Sequence, residues 1–394
     1  MEITHKQLDS LIEVYINMSP RRSLMVWGAV GIGKSENIRN KFIRRAKKLN
    51  LEFVDWVKCS SKEKENICKN VDKYLVFVDE RIALKDSTDN RGIPLLNGNG
   101  LTVGEGENAI NIQYLQWVKT LVMNVASLPK SNVVFFKDEI NLAPPSVQST
   151  EYQMILDRAL DELAFATNTF IIAAGNRQED RTGVNEMSMA LKNRFGHCTL
   201  LPPDTDSWAK WAIENKKDSR IVSYVSLFKG NKALYDFPSA DSDTNAYPTP
   251  RTVAFCCDAI KDIKGTTPED YKHIEMIVSS WLGDAWAIDF KSWLKLTEKV
   301  DIDDVLHNPE KIKAFGIDLQ TSILSAICQR YVEKKEVLND AINVAFELRE
   351  EISVYMLKML SKIHELHFTT EIAKNEKYYM KITERFEKYL VNWE

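Results

Sequence analysis

A stretch near the N-terminus has the residue types and spacing needed to hold a phosphate chain. It reads Val26-Trp27-Gly28-Ala29-Val30-Gly31-Ile32-Gly33-Lys34-Ser35 and matches G-x-x-x-x-G-K-[ST] between an apolar strand pattern and a helix pattern. The glycines let backbone N–H groups curl around phosphate oxygens. We expect Lys34 to reach the β- and γ-phosphates and Ser35 to bind Mg²⁺. The alternative is a glycine-rich turn that arose by chance. Such a turn would not require the strand pattern before it and the helix pattern after it, and both are present.

Two adjacent carboxylates follow a second apolar run. The residues from Val133 to Phe136 predict a buried strand, which continues through Lys137 to Asp138 and Glu139. Such acids suit a nucleotide hydrolase, because the first can hold the Mg²⁺ shell and the second can polarise the attacking water. Surface strand ends often carry the same pair, but after a phosphate-binding loop the pair is specific. The predicted nucleotide contacts are Gly28, Ala29, Val30, Gly31, Ile32, Gly33, Lys34, Ser35 and Glu36, and the predicted metal ligands are Ser35 and Asp138.

A third buried strand, from Thr169 to Gly175, ends in Asn176. If this strand lies between the other two, the Asn176 amide can help to position the attacking water. The alternative is an ordinary Gly-Asn turn. A last strand, from His197 to Leu201, follows the segment that contains Arg194.

Composition and charge limit the classes of protein that this chain can be. It has 394 residues, of which 44% are hydrophobic and 27% charged, and its formal net charge is −4. That net charge does not indicate the overall basic character that is typical of nucleic-acid-binding proteins, although a local basic groove is compatible with it. No apolar stretch approaches the roughly 18–20 residues of a membrane span. Six scattered cysteines predict reduced thiols in a cytoplasmic protein, and His364 and His367 are read as a helix face rather than a metal site.

The order of these patterns predicts an α/β P-loop nucleoside triphosphatase core, a parallel sheet flanked by helices, over residues 1–203. A helical lid over residues 204–300 and a helical C-terminal extension over residues 301–394 are expected to follow. Thr249 predicts an N-cap with Pro250 at the first helical position, so Arg251 should project from the first turn of a helix.

Four further segments carry local predictions. Thr4 and Gln7 have the spacing of a capping box that begins the first helix. The residues from Asn111 to Ala126 predict another helix, after a loop from Asn97 to Asn108 that is either idle or grips a substrate. The apolar stripe from Leu348 to Leu366 predicts one continuous helix.

Taken together, these motifs resemble the AAA+ ATPases and, more narrowly, their MoxR-like branch. The resemblance covers about residues 20 to 260. It rests on Gly28 to Ser35, Asp138-Glu139-Ile140-Asn141-Leu142-Ala143-Pro144-Pro145, Ala173 to Asn176, Leu191 to Phe195 and Thr249-Pro250-Arg251.

The resemblance implies ATP as the nucleotide, Mg²⁺ as the metal, and three further roles. Arg194 occupies the position of an arginine finger that reaches the neighbouring subunit, with Arg158 as a second candidate, and Arg251 matches the lid arginine that touches the γ-phosphate. A finger acting in trans implies a homo-oligomeric ring, most simply a hexamer. Two residues depart from the pattern. Lys137 replaces an apolar residue at what we expect to be a tolerant strand end, and Leu142 replaces an arginine, whose interface contact is therefore not carried over.

Three functions stay open at this stage. The leading hypothesis, implied by the resemblance, is a ring-forming ATPase that remodels partner proteins, including a von Willebrand A-type partner. The second is a DNA-handling motor, since MCM-type helicases share the late Arg-Phe and the lid arginine. The third is a nucleotide-gated scaffold without turnover, against which Glu139 and Arg194 argue. Nucleic acid is possible but not indicated, and no membrane association is expected.

Overall fold

The computed structural model describes residues 1–86, 89, 93–96, 101–103, 110–112, 115–177, 187–238 and 244–390. The chain divides into two compact units, Met1–Pro202 and Pro203–Glu394. Among the helices of the described ranges, none combines the length and the apolar composition that crossing a bilayer requires.

Strands of the first unit form one central sheet. In chain order the strands are β1 (Glu2–Ile3), β2 (Ser23–Trp27), β3 (Glu52–Asp55), β4 (Tyr74–Arg81), β5 (Ile93–Leu96), β6 (Leu101–Val103), β7 (Ile110–Ile112), β8 (Leu115–Val118), β9 (Asn132–Asp138), β10 (Ala159–Leu160), β11 (Leu163–Ala164), β12 (Phe170–Gly175) and β13 (Phe195–Leu200). Over the described residues, seven of them pair in the order β1-β13-β2-β12-β9-β4-β3, and all neighbours in this sheet are parallel. The predicted α/β P-loop core is confirmed.

Helices cover both faces of the sheet because its central strands are apolar on both sides. The helices of this unit are α1 (His5–Asn17), α2 (Lys34–Lys48), α3 (Ser61–Lys69), α4 (Leu121–Ser127), α5 (Pro145–Asp157) and α6 (Met189–Lys192). Phe42 packs α2 against the sheet, since the centre of its ring lies 6.0 Å from that of Phe77 and 5.9 Å from that of Phe170. The capping box of Thr4 and Gln7 is present at the start of α1, as predicted.

The segment before α4 differs from its prediction. Residues from Asn111 to Ala126 were expected to form one helix, but only α4 is helical, and β7 and β8 occupy the earlier part. β8 pairs antiparallel with β5, and β7 with β6. These ladders satisfy the backbone groups that a helix would have used, so pairing with an earlier strand overrides the helical spacing. The predicted loop from Asn97 to Asn108 falls mainly outside the described residues, and its residues 101–103 form β6.

The second unit is helical in its described residues. Its helices are α7 (Thr205–Glu214), α8 (Ser219–Ser223), α9 (Asn231–Leu234), α10 (Pro250–Ile260), α11 (Pro268–Leu282), α12 (Asp284–Leu294), α13 (Ile302–His307), α14 (Ile317–Glu333), α15 (Leu338–Glu347), α16 (Glu350–Ile363), α17 (Glu365–Lys374) and α18 (Glu376–Leu390), with a π-helical segment over Tyr224–Lys229. One buried cluster extends from Trp208 to Ile372. The predicted division of this unit near residue 300 stays a prediction.

The tail helix is shorter than its apolar stripe predicted. It ends at Ile363, where His364 leaves the helical conformation before α17 begins. The two tail histidines contact Val332 and Tyr331: His364 Nε2 lies 3.3 Å from the Val332 carbonyl oxygen and His367 Nδ1 lies 3.1 Å from the Tyr331 hydroxyl.

Lys137 is buried, which corrects the expectation that it lies at a tolerant strand end. Its side chain is 0% exposed, and its ammonium lies 3.0 Å from the Glu151 carboxylate on α5 and 2.5 Å from that of Glu80 on β4. Burial alone would lower the pKa of Lys137, but Glu151 and Glu80 more than offset that effect and raise it. Two buried carboxylates on neighbouring elements therefore keep the lysine charged.

We predict that Lys137→Met lowers the unfolding free energy of the sheet-containing unit by about 3–5 kcal/mol, because the two buried carboxylates lose their shared counter-charge. Chemical denaturation checks this value. Lys58→Met is the matched control, since Lys58 is 75% exposed and pairs with Asp55 at 3.4 Å. An equal effect of both changes would contradict the buried ion pair.

Candidate nucleotide-binding site

The glycine-rich stretch forms the loop between β2 and α2, as its sequence predicted. Gly31 has φ of 75° and Gly33 has φ of 89°, a left-handed conformation that side-chain-bearing residues rarely adopt. Gly33 directly precedes α2, so the first backbone N–H groups of that helix are open to an anion. The turn that the pattern requires is therefore present.

Lys34 links this loop to the third strand. Its ammonium donates to the Gly28 and Ala29 carbonyl oxygens, both at 2.8 Å, and to Asn176 Oδ1 at 3.0 Å. The side chain is buried, with a residue exposure of 8%. An ammonium held inside the loop by weak neutral acceptors suits a stronger anionic acceptor such as a phosphate oxygen.

Ser35 and Asp138 face each other from different elements. Ser35 Oγ, at the start of α2, donates to Asp138 Oδ2 at 2.8 Å, and Asp138 Oδ1 accepts from the Glu139 backbone N–H at 3.0 Å. Alternation along β9 explains this placement, because Asp138 lies on the same side of the sheet as Phe136, and Lys137 lies on the opposite side. A hydroxyl beside a carboxylate is a ligand pair that Mg²⁺ accepts, so the donor set fits that metal.

Glu139 has a left-handed backbone at the end of β9. Its φ is 56° and its ψ is 33°, a conformation that costs a residue with a side chain about 1–3 kcal/mol and that clusters at functional sites. The residue is partly exposed. The strained turn places Glu139 directly after the metal-type ligand Asp138.

Asn176 lies at the expected position between the two motif strands. β12 pairs with β2 on one side and with β9 on the other, so the carboxyl ends of all three strands share one edge of the sheet. Asn141, which was not predicted as a site residue, holds Asn176 there, and Gly175, also not predicted, leaves room for the Asn141 side chain. The Asn141 amide donates to the Asn176 carbonyl oxygen at 2.7 Å, and a Cβ on Gly175 would lie 2.5 Å from Asn141 Oδ1.

Two further residues near the loop were missed by the sequence analysis. His5 Nε2, on α1, lies 2.9 Å from the Ile32 carbonyl oxygen of the loop. Asp79, on β4, has a raised pKa, because it is partly buried and because Asp138 and Asp55 lie near it. No local motif marks either residue, since both reach the site only through the pairing of distant elements.

The three predicted arginines have contacts of their own or lie in the second unit. Arg194 precedes β13, donates to the Ala190 carbonyl oxygen and stacks 4.8 Å from the Tyr152 ring centre. Arg158 ends α5 and donates to the Thr169 carbonyl oxygen. Arg251 is exposed in the first turn of α10 in the second unit, behind the predicted Thr249 cap. Within the described part of the chain, no hydrogen bond or ion pair joins Arg194 or Arg158 to the loop.

Comparisons with known proteins identify distant structures only. No protein-family model and no curated protein matches the sequence. Among solved structures, the Thermotoga maritima RuvB Holliday junction branch migration motor is 14% identical, with 79% of this chain and 76% of that chain covered and a TM-score of 0.31.

Two other solved structures match over more of the chain. The Aeropyrum pernix ORC2 protein is 11% identical over 93% of this chain and 94% of its own, with a TM-score of 0.34. Cdc6p from Pyrobaculum aerophilum is 11% identical over 91% of this chain and 93% of its own, also with a TM-score of 0.34. The strand order defines the fold and the contacts define the site, independently of these similarities.

We predict that Gly175→Ala destabilises the sheet-containing unit by about 1–3 kcal/mol, because the new methyl group has no room beside Asn141 and Met25. Chemical denaturation checks this, with Asn141→Ala and the double variant completing a cycle. Removing the Asn141 side chain should relieve part of the crowding, so the double variant should be more stable than the sum of the two single changes implies. Strict additivity would contradict this packing.

Proposed function

We propose that this chain is an Mg²⁺-dependent, ring-forming AAA+ ATPase of the MoxR-like kind. The observation that carries the proposal is the connected group of Lys34, Ser35, Asp138 and Asn176, which three neighbouring strands bring to one edge of the sheet. A phosphate-binding turn, a metal-type ligand pair and a strand-end amide are the parts that phosphoryl transfer to water requires.

Some of these residues would bind ATP and Mg²⁺, and others would activate the attacking water. The loop N–H groups and Lys34 would hold the ATP phosphates, and Ser35 and Asp138 would hold Mg²⁺, which neutralises phosphate charge when bound. Glu139 would accept a proton from the attacking water, and Asn176 would orient that water. Asn141 is a positioning residue, because its amide donates to the Asn176 carbonyl oxygen, and Gly175 leaves room for the Asn141 side chain.

The position of Arg194 supports a site shared between subunits. Arg194 directly precedes β13, whereas the loop follows the end of β2, and these strands are parallel neighbours in register from Phe195 beside Ser23 to Thr199 beside Trp27. Five residues of strand span about 17 Å, so Arg194 and the loop lie at opposite edges of the same sheet. An Arg194 that reaches a phosphate would therefore reach the one bound by a neighbouring copy. A hexamer is the simplest such ring.

The biological role is proposed from the resemblance alone. We infer that the ring remodels partner proteins, a von Willebrand A-type protein among them, and acts in the cytoplasm, with Arg251 contacting the γ-phosphate from a helical lid. A DNA-handling motor would instead show salt-sensitive DNA binding, and a nucleotide-gated scaffold would bind ATP without releasing phosphate.

We predict that Lys34→Ala abolishes ATP binding, because the buried ammonium is lost from the phosphate loop. Glu139→Gln should keep ATP binding and lower kcat by about 10²–10⁴, since the amide cannot accept the proton of water. Isothermal calorimetry and phosphate release check the two effects. Lys47→Ala and Glu52→Gln, at exposed positions, should change neither quantity. Normal turnover by Glu139→Gln would exclude the proposed base.

We predict that Arg194→Ala keeps ATP binding and lowers kcat by about 10³-fold or more, the range found for arginine fingers. Mixing it with Lys34→Ala protein should restore part of the turnover, because a loop from one variant then meets Arg194 of the other. Mixing it with the Lys34→Ala/Arg194→Ala double variant is the control and should restore none. If co-assembled single variants stay inactive, Arg194 does not act between subunits.

A further inference from the structure

Three arginines converge at the amino-terminal edge of the sheet, opposite the nucleotide loop. Arg21 and Arg22 directly precede β2, and Arg158 ends α5. β2 and β12 are parallel neighbours, with Leu24 beside Ile172, so the residues before β2 lie beside those before β12. We refer to Arg21, Arg22 and Arg158 as the arginine cluster.

Contacts with the turn before β12 hold the cluster in place. Arg21 Nη2 lies 3.4 Å from Asn168 Oδ1, and Arg158 Nη2 donates to the Thr169 carbonyl oxygen. Thr169 is itself fastened to α4, because its hydroxyl donates to the Ala126 carbonyl oxygen at 3.1 Å. The guanidinium groups of Arg21 and Arg158 therefore contact a turn that is itself hydrogen-bonded to α4.

The cluster has no counter-charge within the described residues. Other arginines of this unit form ion pairs, as Arg39 does with Asp55 and Arg45 with Glu13. Among the residues that the structure describes, no carboxylate pairs with any of the three cluster arginines.

The environment of Arg158 favours an added anion. Burial, followed by the charges of Arg21 and Arg22, lowers the pKa of Arg158 to about 10. Its Nη1 atom is buried and has no hydrogen-bond acceptor in the described part of the chain. A buried donor without an acceptor is unfavourable, and an anion bound beside the cluster would offset the repulsion among the three positive charges.

We propose that the arginine cluster binds the phosphate group of a second ligand, separate from the nucleotide loop. Guanidinium groups present paired donors that match phosphate oxygens, and Arg22 of the cluster is exposed. The ligand is either a free phosphate compound or the phosphodiester backbone of a nucleic acid, which share this chemistry. The proposal does not depend on ATP hydrolysis, since the two sites lie at opposite edges of the sheet.

The test uses full-length Lys34→Ala protein, in which the nucleotide loop is disabled. Inorganic phosphate is titrated at constant ionic strength against sodium chloride, and binding is followed by calorimetry. We expect saturable phosphate binding. Adding Arg21→Gln and Arg22→Gln to the Lys34→Ala protein should weaken this binding at least tenfold. Arg44→Gln is the matched control, because Arg44 is 56% exposed and pairs with Asp9, and it should leave phosphate binding unchanged. Arg158→Lys provides a second variant that keeps the charge but loses the paired donors, and it should also weaken binding.

A fluorescent single-stranded oligonucleotide distinguishes the two sources. The ligand is a nucleic-acid backbone if the oligonucleotide displaces phosphate and if its binding is salt-dependent. The logarithm of its binding constant should then fall with the logarithm of the salt concentration, with a slope of about −0.7 for each phosphate neutralised. If phosphate binds and the oligonucleotide does not, the ligand is a free phosphate compound. The proposal would be overturned if phosphate does not bind to Lys34→Ala protein, or if both cluster variants leave phosphate binding unchanged. Either result would count even if the protein without substitutions hydrolyses ATP normally.

Discussion

The candidate site depends on the parallel pairing of β2, β12 and β9. Parallel neighbours end at the same edge of a sheet, so the residues that follow these strands meet although they are far apart in the chain. β12 lies in the middle, and this position lets Asn176 accept from Lys34 at 3.0 Å. A shift of one residue in β9 would move Asp138 to the other face, away from Ser35. The geometry of the site therefore depends on the register of the paired strands.

The buried ion group around Lys137 stabilises that register in an unusual way. Glu80 and Lys137 are paired residues of β4 and β9, and Glu151 joins them from α5. A misaligned β9 would leave one of these charges buried without a partner, which costs more than a misplaced apolar side chain. Lys137 and Asp138 thus serve different purposes on opposite faces, one in holding the strand and the other at the site.

The acidic residues of the site and the arginines of the cluster lie at opposite edges of the sheet. Asp55, Asp79 and Asp138 lie toward the carboxyl ends of the strands, where burial and then the charges of Asp138 and Asp55 raise the pKa of Asp79. Arg194 and the arginine cluster lie at the amino ends. Parallel strands produce this asymmetry, because every strand contributes the same end to the same edge. The proposed ring would bring these unlike surfaces together head to tail, and the proposed anion site would use the positive charge at the amino ends.

Local sequence determined the phosphate loop, the strand that carries Asp138 and Glu139, the cap before Arg251 and the class of the fold. These features depend on short-range rules: glycine conformations, capping side chains and continuous apolar runs. Only the tertiary structure decided which side chains share the edge. His5 and Asp79 carry no motif, and the contact between Asn141 and Asn176 does not follow from the two motifs that contain these residues. β7 and β8 replace a predicted helix because their partners lie earlier in the chain. Lys137 was expected to lie at a tolerant strand end. Its burial could not be predicted from its sequence neighbours, because the two carboxylates that neutralise it lie on β4 and α5.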